Sequence, residues 1–310
     1  MAKTILVAGV NGFVGHHLAR ELKSAGHRVI GTGMDDKPSR DISDALHEYV
    51  MCDLTVAEQV KRLPLKQIDA VINLAGLASV GDSFKPGAAE RYTHINVAVH
   101  TTIAEQLLKL GRADVRVIAI STGAVYDNSQ PMPIPENGAL IAQQGSPYAH
   151  SKIAMENALT PLRDSGLDVV IARPFNHIGP GQLPGFLVPD LITQLRATGT
   201  DKAIRVGRLD TKRDYTDVRD VARAYRLLAE AEHLTSEVYN ICSGASHSGE
   251  EILSTLTNVM GLGELEVETN PDLIRPNDPA DIRGDNTLLV RDTGWQPSIE
   301  FTQTLRDCVN

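Results

Sequence analysis

In the segment SPYAHSKIAMENAL, Tyr148 and Lys152 stand one helical turn apart, a spacing that puts both side chains on one face of a helix. A phenol, with its pKa about 10, is a poor acid–base group at neutral pH, and an adjacent ammonium stabilises the phenolate and brings that pKa towards the working range. Upstream, AISTGAVYD closes an apolar run with Ser121 and Thr122. A hydroxyl such as Thr122 can hold a substrate oxygen that gains or loses a proton, so Thr122, Tyr148 and Lys152 read as a catalytic set for interconverting a carbinol and a ketone. A Tyr–Lys pair at this spacing also arises by chance, and its weight comes from what surrounds it.

That chemistry needs a hydride carrier, and the N-terminus has the sequence for one. In VAGVNGFVGHHLARELKSAGHRVIG, Gly9, Gly12 and Gly15 follow the first apolar run at the mouth of a helix-like stretch. Gly9 permits a tight turn, Gly12 lets backbone approach a pyrophosphate, and Gly15 allows helix to pack closely on strand. The helix N-terminus offers N–H groups and a positive dipole end to phosphates. A glycine triplet alone is a weak signal; a strand before it, a helix after it and a second strand beginning near His27 make it a strong signal for a bound dinucleotide rather than a merely structural turn. In such folds an acidic residue closing the second strand holds the adenosine ribose and favours NAD. Along HRVIGTGMDDKPSR that position falls near Gly33, Asp35 and Asp36 come late, and Lys37 and Arg40 are placed to meet a 2′-phosphate. The loop therefore favours NADP(H) and leaves NAD(H) open, because the same residues also read as a solvated charged loop. Asp53 and Leu54 in MCDLT follow the next short strand, where they reach an adenine or where Asp53 caps the following helix.

These residues need a frame to position them. Apolar runs of strand length recur at 4–10, 27–33, 69–76, 115–122 and 167–174, rich in Val and Ile and without polar alternation. That is the pattern of strands covered on both faces, as in a parallel sheet. Helix-like stretches lie between them, including 15–26 and 95–111, each closed by a glycine where a C-terminal cap sits. The alternation predicts an α/β fold with a doubly wound parallel sheet of Rossmann type. After residue 174 the rhythm breaks in PGQLPGFLVP, and stretches such as LVPDLITQLRATG and DYTDVRDVARAYRLLAEAE predict a smaller mixed C-terminal substrate lobe. The expected division is a dinucleotide-binding domain over 1–174 and a mainly substrate-binding lobe over 175–310, with segments returning to the first domain.

A chain of 310 residues, 42% hydrophobic and 22% charged, can bury a substantial core. Its net charge of −9, without a block of Lys and Arg, argues against a nucleic-acid partner but permits a small anionic ligand met by local arginines. No stretch reaches the roughly 20 apolar residues of a membrane span, and the N-terminal run reads as strand plus turn rather than as a signal peptide. Cys52, Cys242 and Cys308 lie far apart, which predicts neither a disulfide framework nor a zinc site and fits a reducing cytoplasm. The histidines form no ligand cluster, so no metal is expected.

Together, GVNGFVG, CDL, NLAG, STGAVY, YAHSK and RPFNHIGPGQ resemble the extended short-chain dehydrogenase/reductase family of nucleotide-sugar epimerases, dehydratases and reductases, over essentially the whole chain. The resemblance implies a catalytic Tyr148, a Lys152 that also holds the nicotinamide ribose, and Thr122 at the family's Ser/Thr position. It adds Asn11, Phe13 and Val14 of the glycine turn, and Leu74, Ala75 and Gly76 of NLAG, to the cofactor-binding set. It further implies a nucleotide-diphosphate sugar as substrate, with Asn176 near the diphosphate and Arg213 and Arg283 on its phosphates. Arginine suits that task physically, since its planar fork grips phosphate. A homodimer built on the helices at 95–111 and 148–163 is also implied.

Where the family's 4,6-dehydratases carry an acidic pair after the Thr, this chain has Gly123 and Ala124, which disfavours dehydration. RPFNHIGPGQ, GRLDTKRDYTDVRDVARAY, VYNICSG and the late IRGDNTLL and DTGW resemble the family's GDP-4-dehydro-6-deoxy-D-mannose reductases. That implies NAD(P)H-dependent reduction of the C4 ketone of a GDP-4-keto-6-deoxyhexose. A 4-epimerase that retains NAD⁺ is the alternative on the same residues. A binding protein that had kept the fold alone would be expected to lose Tyr148 or Lys152, and both are present. Asp127 departs from the family's usual glycine after the VY pair. In RPFNHIGPGQ, Pro174 and Pro180 stiffen the loop, Gly179 and Gly181 permit its turns, and His177 reads as shaping that loop rather than as an acid–base catalyst.

Overall fold

A computed structural model describes residues 1–141, 145–197, 203–274 and 278–310. The N-terminal half runs β1 (Thr4–Ala8), α1 (Phe13–Ser24), β2 (Arg28–Gly33), β3 (Glu48–Met51), α2 (Ala57–Val60), β4 (Ala70–Asn73), α3 (Val80–Ser83), α4 (Ala88–Lys109), β5 (Arg116–Ile120), α5 (Pro147–Asp164) and β6 (Val169–Pro174). There follow β7 (Asn176–Ile178), α6 (Leu187–Ala197), β8 (Ala203–Val206), β9 (Lys212–Asp217), α7 (Val218–Glu230), β10 (Val238–Ile241), β11 (Ser246–Ser248), α8 (Gly249–Val259), β12 (Glu266–Thr269), β13 (Asp281–Ile282), α9 (Thr287–Thr293) and α10 (Phe301–Val309).

Seven strands form one parallel sheet in the order β10-β6-β5-β4-β1-β2-β3. Side chains alternate along each strand, so Ile5, Val7, Ile72 and Ile118 pack against Leu18 and Leu22 of α1 and Val221 and Tyr225 of α7. Leu6, Ala8, Val71 and Val117 pack on the other face, against Ile103 and Leu107 of α4 and Met155 and Leu159 of α5. Apolar residues on both sides of each strand are what an unalternating Val/Ile run requires. The sheet reverses its winding between β1 and β4, and the crevice there opens at the carboxyl ends of the strands.

The C-terminal half contributes both to this sheet and beside it. β10 adds the edge strand, and Trp295, fully buried in the face shared by α1 and α7, donates through Nε1 to Asp220 O at 2.9 Å. Beside the sheet, β9 is paired by β11, β13 and β7, β8 pairs with β12, and α6, α8 and α10 close a separate core around Leu191, Ile204, Leu256 and Leu305. Among the described residues, no helix is long and apolar enough to cross a membrane.

Helix ends fall at the expected Gly26 and Gly111, and also at Gly166. Gly26, Gly111 and Gly166 have φ of 83°, 68° and 97°, and each places two N–H groups back onto the last turn, as in Gly26 N to Lys23 O (2.9 Å) and His27 N to Leu22 O (3.0 Å). Helix starts differ from the apolar pattern. The helix expected from 15 begins at Phe13, putting Gly15 inside its first turn, and that expected from 95 begins at Ala88, because the leading turns AAERYTH are mostly solvent-facing and lack the apolar stripe. The helix expected through LVPDLITQLRATG spans Leu187–Ala197, and its last two positions lie outside the described residues.

Candidate active site

The glycine turn is shaped by backbone contact. Gly9 has φ 75°, and a Cβ there would sit 3.0 Å from Ala75 N; a Cβ on Gly15 would sit 2.4 Å from Val10 O. Those two positions exclude side chains, which lets the turn close against the end of β4 and lets α1 start directly from it. Gly12, the N-cap of α1, offers no side chain to its first N–H groups, so an anion can take them. Asn11 locks the turn to the loop after β2: its Nδ2 donates to Asp35 Oδ2 at 2.7 Å and its Oδ1 accepts from Ser39 N at 3.0 Å. Together with Asp35, Asp36, Lys37, Pro38 and Arg40, Asn11 lines one groove at the end of β2. Lys37 and Arg40 are exposed in it.

Asp53 turns its carboxylate onto its own chain, Oδ1 accepting from Thr55 N (2.9 Å) and Thr55 Oγ1 (2.7 Å), while α2 begins later with Val56 as N-cap. It therefore caps the turn leading to the helix rather than the helix itself. Leu54 is buried against the α4 side of the sheet. Leu74, Ala75 and Gly76 leave the end of β4 beside the glycine turn. A Cβ on Gly76 (φ 144°) would fall 2.6 Å from Asn96 Oδ1 and 3.7 Å from Lys152 Nζ, so this glycine keeps the space between those two groups open.

Tyr148 and Lys152 emerge from the first two turns of α5 and are 8% and 5% exposed. Ser146 caps the helix through Ala149 N at 3.1 Å, and Pro147 starts it. Thr122, at the exit of β5, accepts from Ala124 N at 3.2 Å. Burial pushes the Tyr148 phenol up to about 12, against the opposing effect of Thr122. The expected lowering by Lys152 is not what the structure holds: desolvation wins, and the Lys152 ammonium, brought down to about 8 by burial with Glu156 opposing, donates to Ile120 O at 2.8 Å.

A polar layer behind the pair escaped the sequence reasoning. Asn96 of α4 donates to Ser151 Oγ (2.8 Å), Ser151 donates to Tyr148 O (2.7 Å), and Asn96 Oδ1 accepts from Leu77 N (2.7 Å). Its only sequence signal is an Asn inside the apolar run INVAV, on the helix face that should be buried. Glu156 and Arg173 are the second omission, a buried ion pair at 2.6 Å next to Lys152.

On the substrate side the residues scatter more. Asn176 is exposed on β7. Arg213 on β9 is engaged rather than free: Nη2 pairs with Asp278 at 2.5 Å and Nη1 donates to Pro279 O at 2.9 Å. Arg283 follows β13, with its Nε buried and without a partner among the described residues. Gly123 lies under Phe175, whose ring atoms come within 3.0 Å of where a Cβ would be, and Ala124 is exposed; neither position offers a carboxylate. Asp127 turns inward on its own loop, accepting from Ser129 N at 2.9 Å.

His177 stacks on Phe13 with centroids 6.1 Å apart, and its Nδ1 lies 3.2 Å from Phe175 O. Burial lowers its pKa, keeping the ring neutral at pH 7. His17 meets Phe13 edge-on and places Nε2 2.9 Å from Pro180 O. The loop after β6 is thus clasped onto the first turn of α1, and its histidine shapes that contact.

The family model described as NAD dependent epimerase/dehydratase family matches residues 5–242. The GDP-6-deoxy-D-mannose reductase of Pseudomonas aeruginosa is 33% identical over 311 residues, covering 99% of this chain and 96% of the relative. The structure of RMD from Pseudomonas aeruginosa complexed with NADPH matches with a TM-score of 0.83 at 30% identity, over 99% of this chain and 98% of that one. The UDP-glucose 4-epimerase of Thermotoga maritima with UDP-glucose matches with a TM-score of 0.85 at 26% identity, over 99% and 97%.

Proposed function

The chain belongs to the NAD dependent epimerase/dehydratase family, and from that premise we propose that it reduces the C4 ketone of a GDP-linked 4-keto-6-deoxyhexose with NADPH. The observation that carries this reading is the placement of Tyr148 and Lys152, both buried on the first two turns of α5; the phenol, pushed up by burial, is protonated at neutral pH and serves as the proton donor. Thr122 holds O4 of the sugar, Tyr148 gives O4 its proton, and Lys152 supports the phenolate left behind. When bound, the reduced nicotinamide supplies the hydride to C4.

Gly9, Asn11, Gly12, Phe13, Val14 and Gly15 would hold the pyrophosphate, Asp53 and Leu54 the adenine, and Leu74, Ala75 and Gly76 with Tyr148 and Lys152 the nicotinamide end. The side-chain-free cradle at Gly9 and Gly15 and the uncapped N–H groups of α1 fit such a dinucleotide. NADPH is preferred because Lys37 and Arg40 flank the groove that Asn11 shares with Asp35, and the similar RMD structure is complexed with NADPH. Residues 1–174 serve the cofactor and 175–310 mainly the sugar nucleotide, with Asn176, Arg213 and Arg283 on its diphosphate. Gly123 and Ala124 supply no carboxylate to abstract a C5 proton, so dehydration is not supported. The protein works as a cytoplasmic homodimer joined through α4 and α5, which light scattering checks.

Mixing protein, NADPH and the GDP-linked keto-sugar should consume NADPH. No turnover with GDP-, dTDP- or UDP-linked 4-keto sugars would end the reductase reading. A 4-epimerase is the second reading, supported by the match to the Thermotoga maritima enzyme. It would retain NAD⁺ through purification, and denaturing the purified protein and counting released cofactor separates the two.

A further inference from the structure

Asp214 is 1% exposed, and no cation pairs with it among the described residues. Its carboxylate instead collects neutral donors from two other segments. Oδ1 accepts from Ser243 N (2.8 Å) and Ser243 Oγ (2.6 Å), and Oδ2 from Gly244 N (3.0 Å) and Gly284 N (3.3 Å). Burying a carboxylate in this way is costly unless each lone pair is met, and the cost is visible as a pKa raised to about 6.

The segments so gathered carry the two arginines of the substrate side. Arg213 precedes Asp214 on β9, and strand alternation turns their side chains to opposite faces. The burial agrees: Asp214 is inside and Arg213 half-buried. Arg283 precedes Gly284, and Ile282 pairs with Arg213 across β9 and β13. Gly284 reaches the carboxylate only because it lacks a side chain: a Cβ there would lie 2.6 Å from Cys242 Sγ and 2.6 Å from Phe175 Cε2. Nε of Arg283 is buried and has no partner among the described residues.

Resting on the nucleotide-sugar reading above, we propose that Asp214 is the positioning residue of the diphosphate site, fixing Arg213 and Arg283 relative to each other by tying β9, the Ser243–Gly244 turn and the Gly284 strap to one carboxylate. Asp214 does not touch the ligand; it acts through the arginines. A purely structural staple would alter stability and leave nucleotide affinity intact at temperatures where the protein is folded.

The test is GDP binding by calorimetry to wild type and Asp214→Asn, with NADPH binding as the internal control, followed by steady-state kinetics. The expected result is GDP affinity and keto-sugar KM worse by about tenfold or more, the scale of a lost charge-assisted contact. The NADPH affinity stays unchanged and kcat stays within about threefold. A folded Asp214→Asn that binds GDP within about twofold of wild type overturns the proposal. If Asp214→Asn does not fold, Ser243→Ala, which removes one of the carboxylate's donors together with the hydroxyl's contacts to Ala245, takes its place: GDP binding weakened by a few-fold supports the proposal and unchanged binding overturns it. If wild type binds UDP and not GDP, the same comparison is made with UDP. Wild type that binds neither takes down the nucleotide-sugar reading and this proposal with it.

Discussion

Arg173 and Glu156 face each other from β6 and α5 as a bidentate pair, Nη2 donating to Oε2 at 2.6 Å and Nε to Oε1 at 3.0 Å. Glu156 stands one turn beyond Lys152 on the face of α5 that carries Tyr148. Its Oε1 also accepts from Ser121 Oγ at 2.5 Å, and the Arg173 guanidinium lies 4.9 Å from the centroid of the Tyr126 ring. The helix bearing Tyr148 is thereby tied, through Ser121, to the end of β5 that leads into Thr122.

Breaking that tie on one side leaves a buried charge alone. Glu156→Gln is expected to cost about 3–5 kcal/mol of stability, since the remaining guanidinium is desolvated without its partner. Denaturant unfolding measures it. A loss under about 1 kcal/mol would mean that water or a neighbouring group replaces the carboxylate without difficulty.

Lys152 gives a pH signature. Its folded pKa of about 8 lies below the ordinary lysine value of about 10.4. Between those values the unfolded chain binds more protons, so this residue's contribution to stability rises with pH across the window. The thiols of buried Cys52 and half-buried Cys308, raised to about 11 and about 12, act in the opposite sense over part of the same range. The Lys152 contribution is therefore read as the difference between wild type and Lys152→Met, expected to rise by about 1–3 kcal/mol between pH 8 and pH 10. A flat difference refutes the depressed pKa. Loss of the ammonium also removes support for the phenolate, so reduction should slow as pH rises through about 8.

The frame was more legible than the network inside it. Val/Ile runs announce strands covered on both faces because the sheet's two cores use alternate residues of the same strand, as with Ile5 and Leu6. Gly9, Gly12 and Gly15 announce the turn because their function is local. Asn96, by contrast, meets Ser151 from 55 residues away, and Arg213 meets Asp278 from 65; pairings at such separation leave no periodic trace. Spacing placed Tyr148 beside Lys152 on one helix face but says nothing about burial, which is why the shift of the phenol came out with the opposite sign.

Cofactor choice should follow the groove after β2. Replacing Lys37 and Arg40 together by Ala removes the exposed cations there, while Asn11, Asp35 and Ser39 keep the loop closed. The NADPH dissociation constant is expected to rise about tenfold and that of NADH to stay within about twofold, as measured by titrating protein fluorescence. Equal weakening of both would place the 2′-phosphate elsewhere.

Gly123 accounts for the absence of a carboxylate where dehydration chemistry would need one. A Cβ at this position would come 3.0 Å from Cδ2 and 3.1 Å from Cε2 of Phe175, and Phe175 packs with Val125, Tyr126 and Cys242 in a small core. Gly123→Asp therefore both overpacks that core and places a carboxylate against an aromatic face, with an expected loss of about 1–3 kcal/mol. Gly123→Ala should lose less, because Phe175 need shift by only a few tenths of an ångström. The introduced acid is not expected to confer elimination of water from a 4-keto sugar, since it would be packed against the Phe175 ring. Denaturant unfolding and product analysis read the two effects separately, and full stability of Gly123→Asp would show that Phe175 yields and that packing does not set this limit.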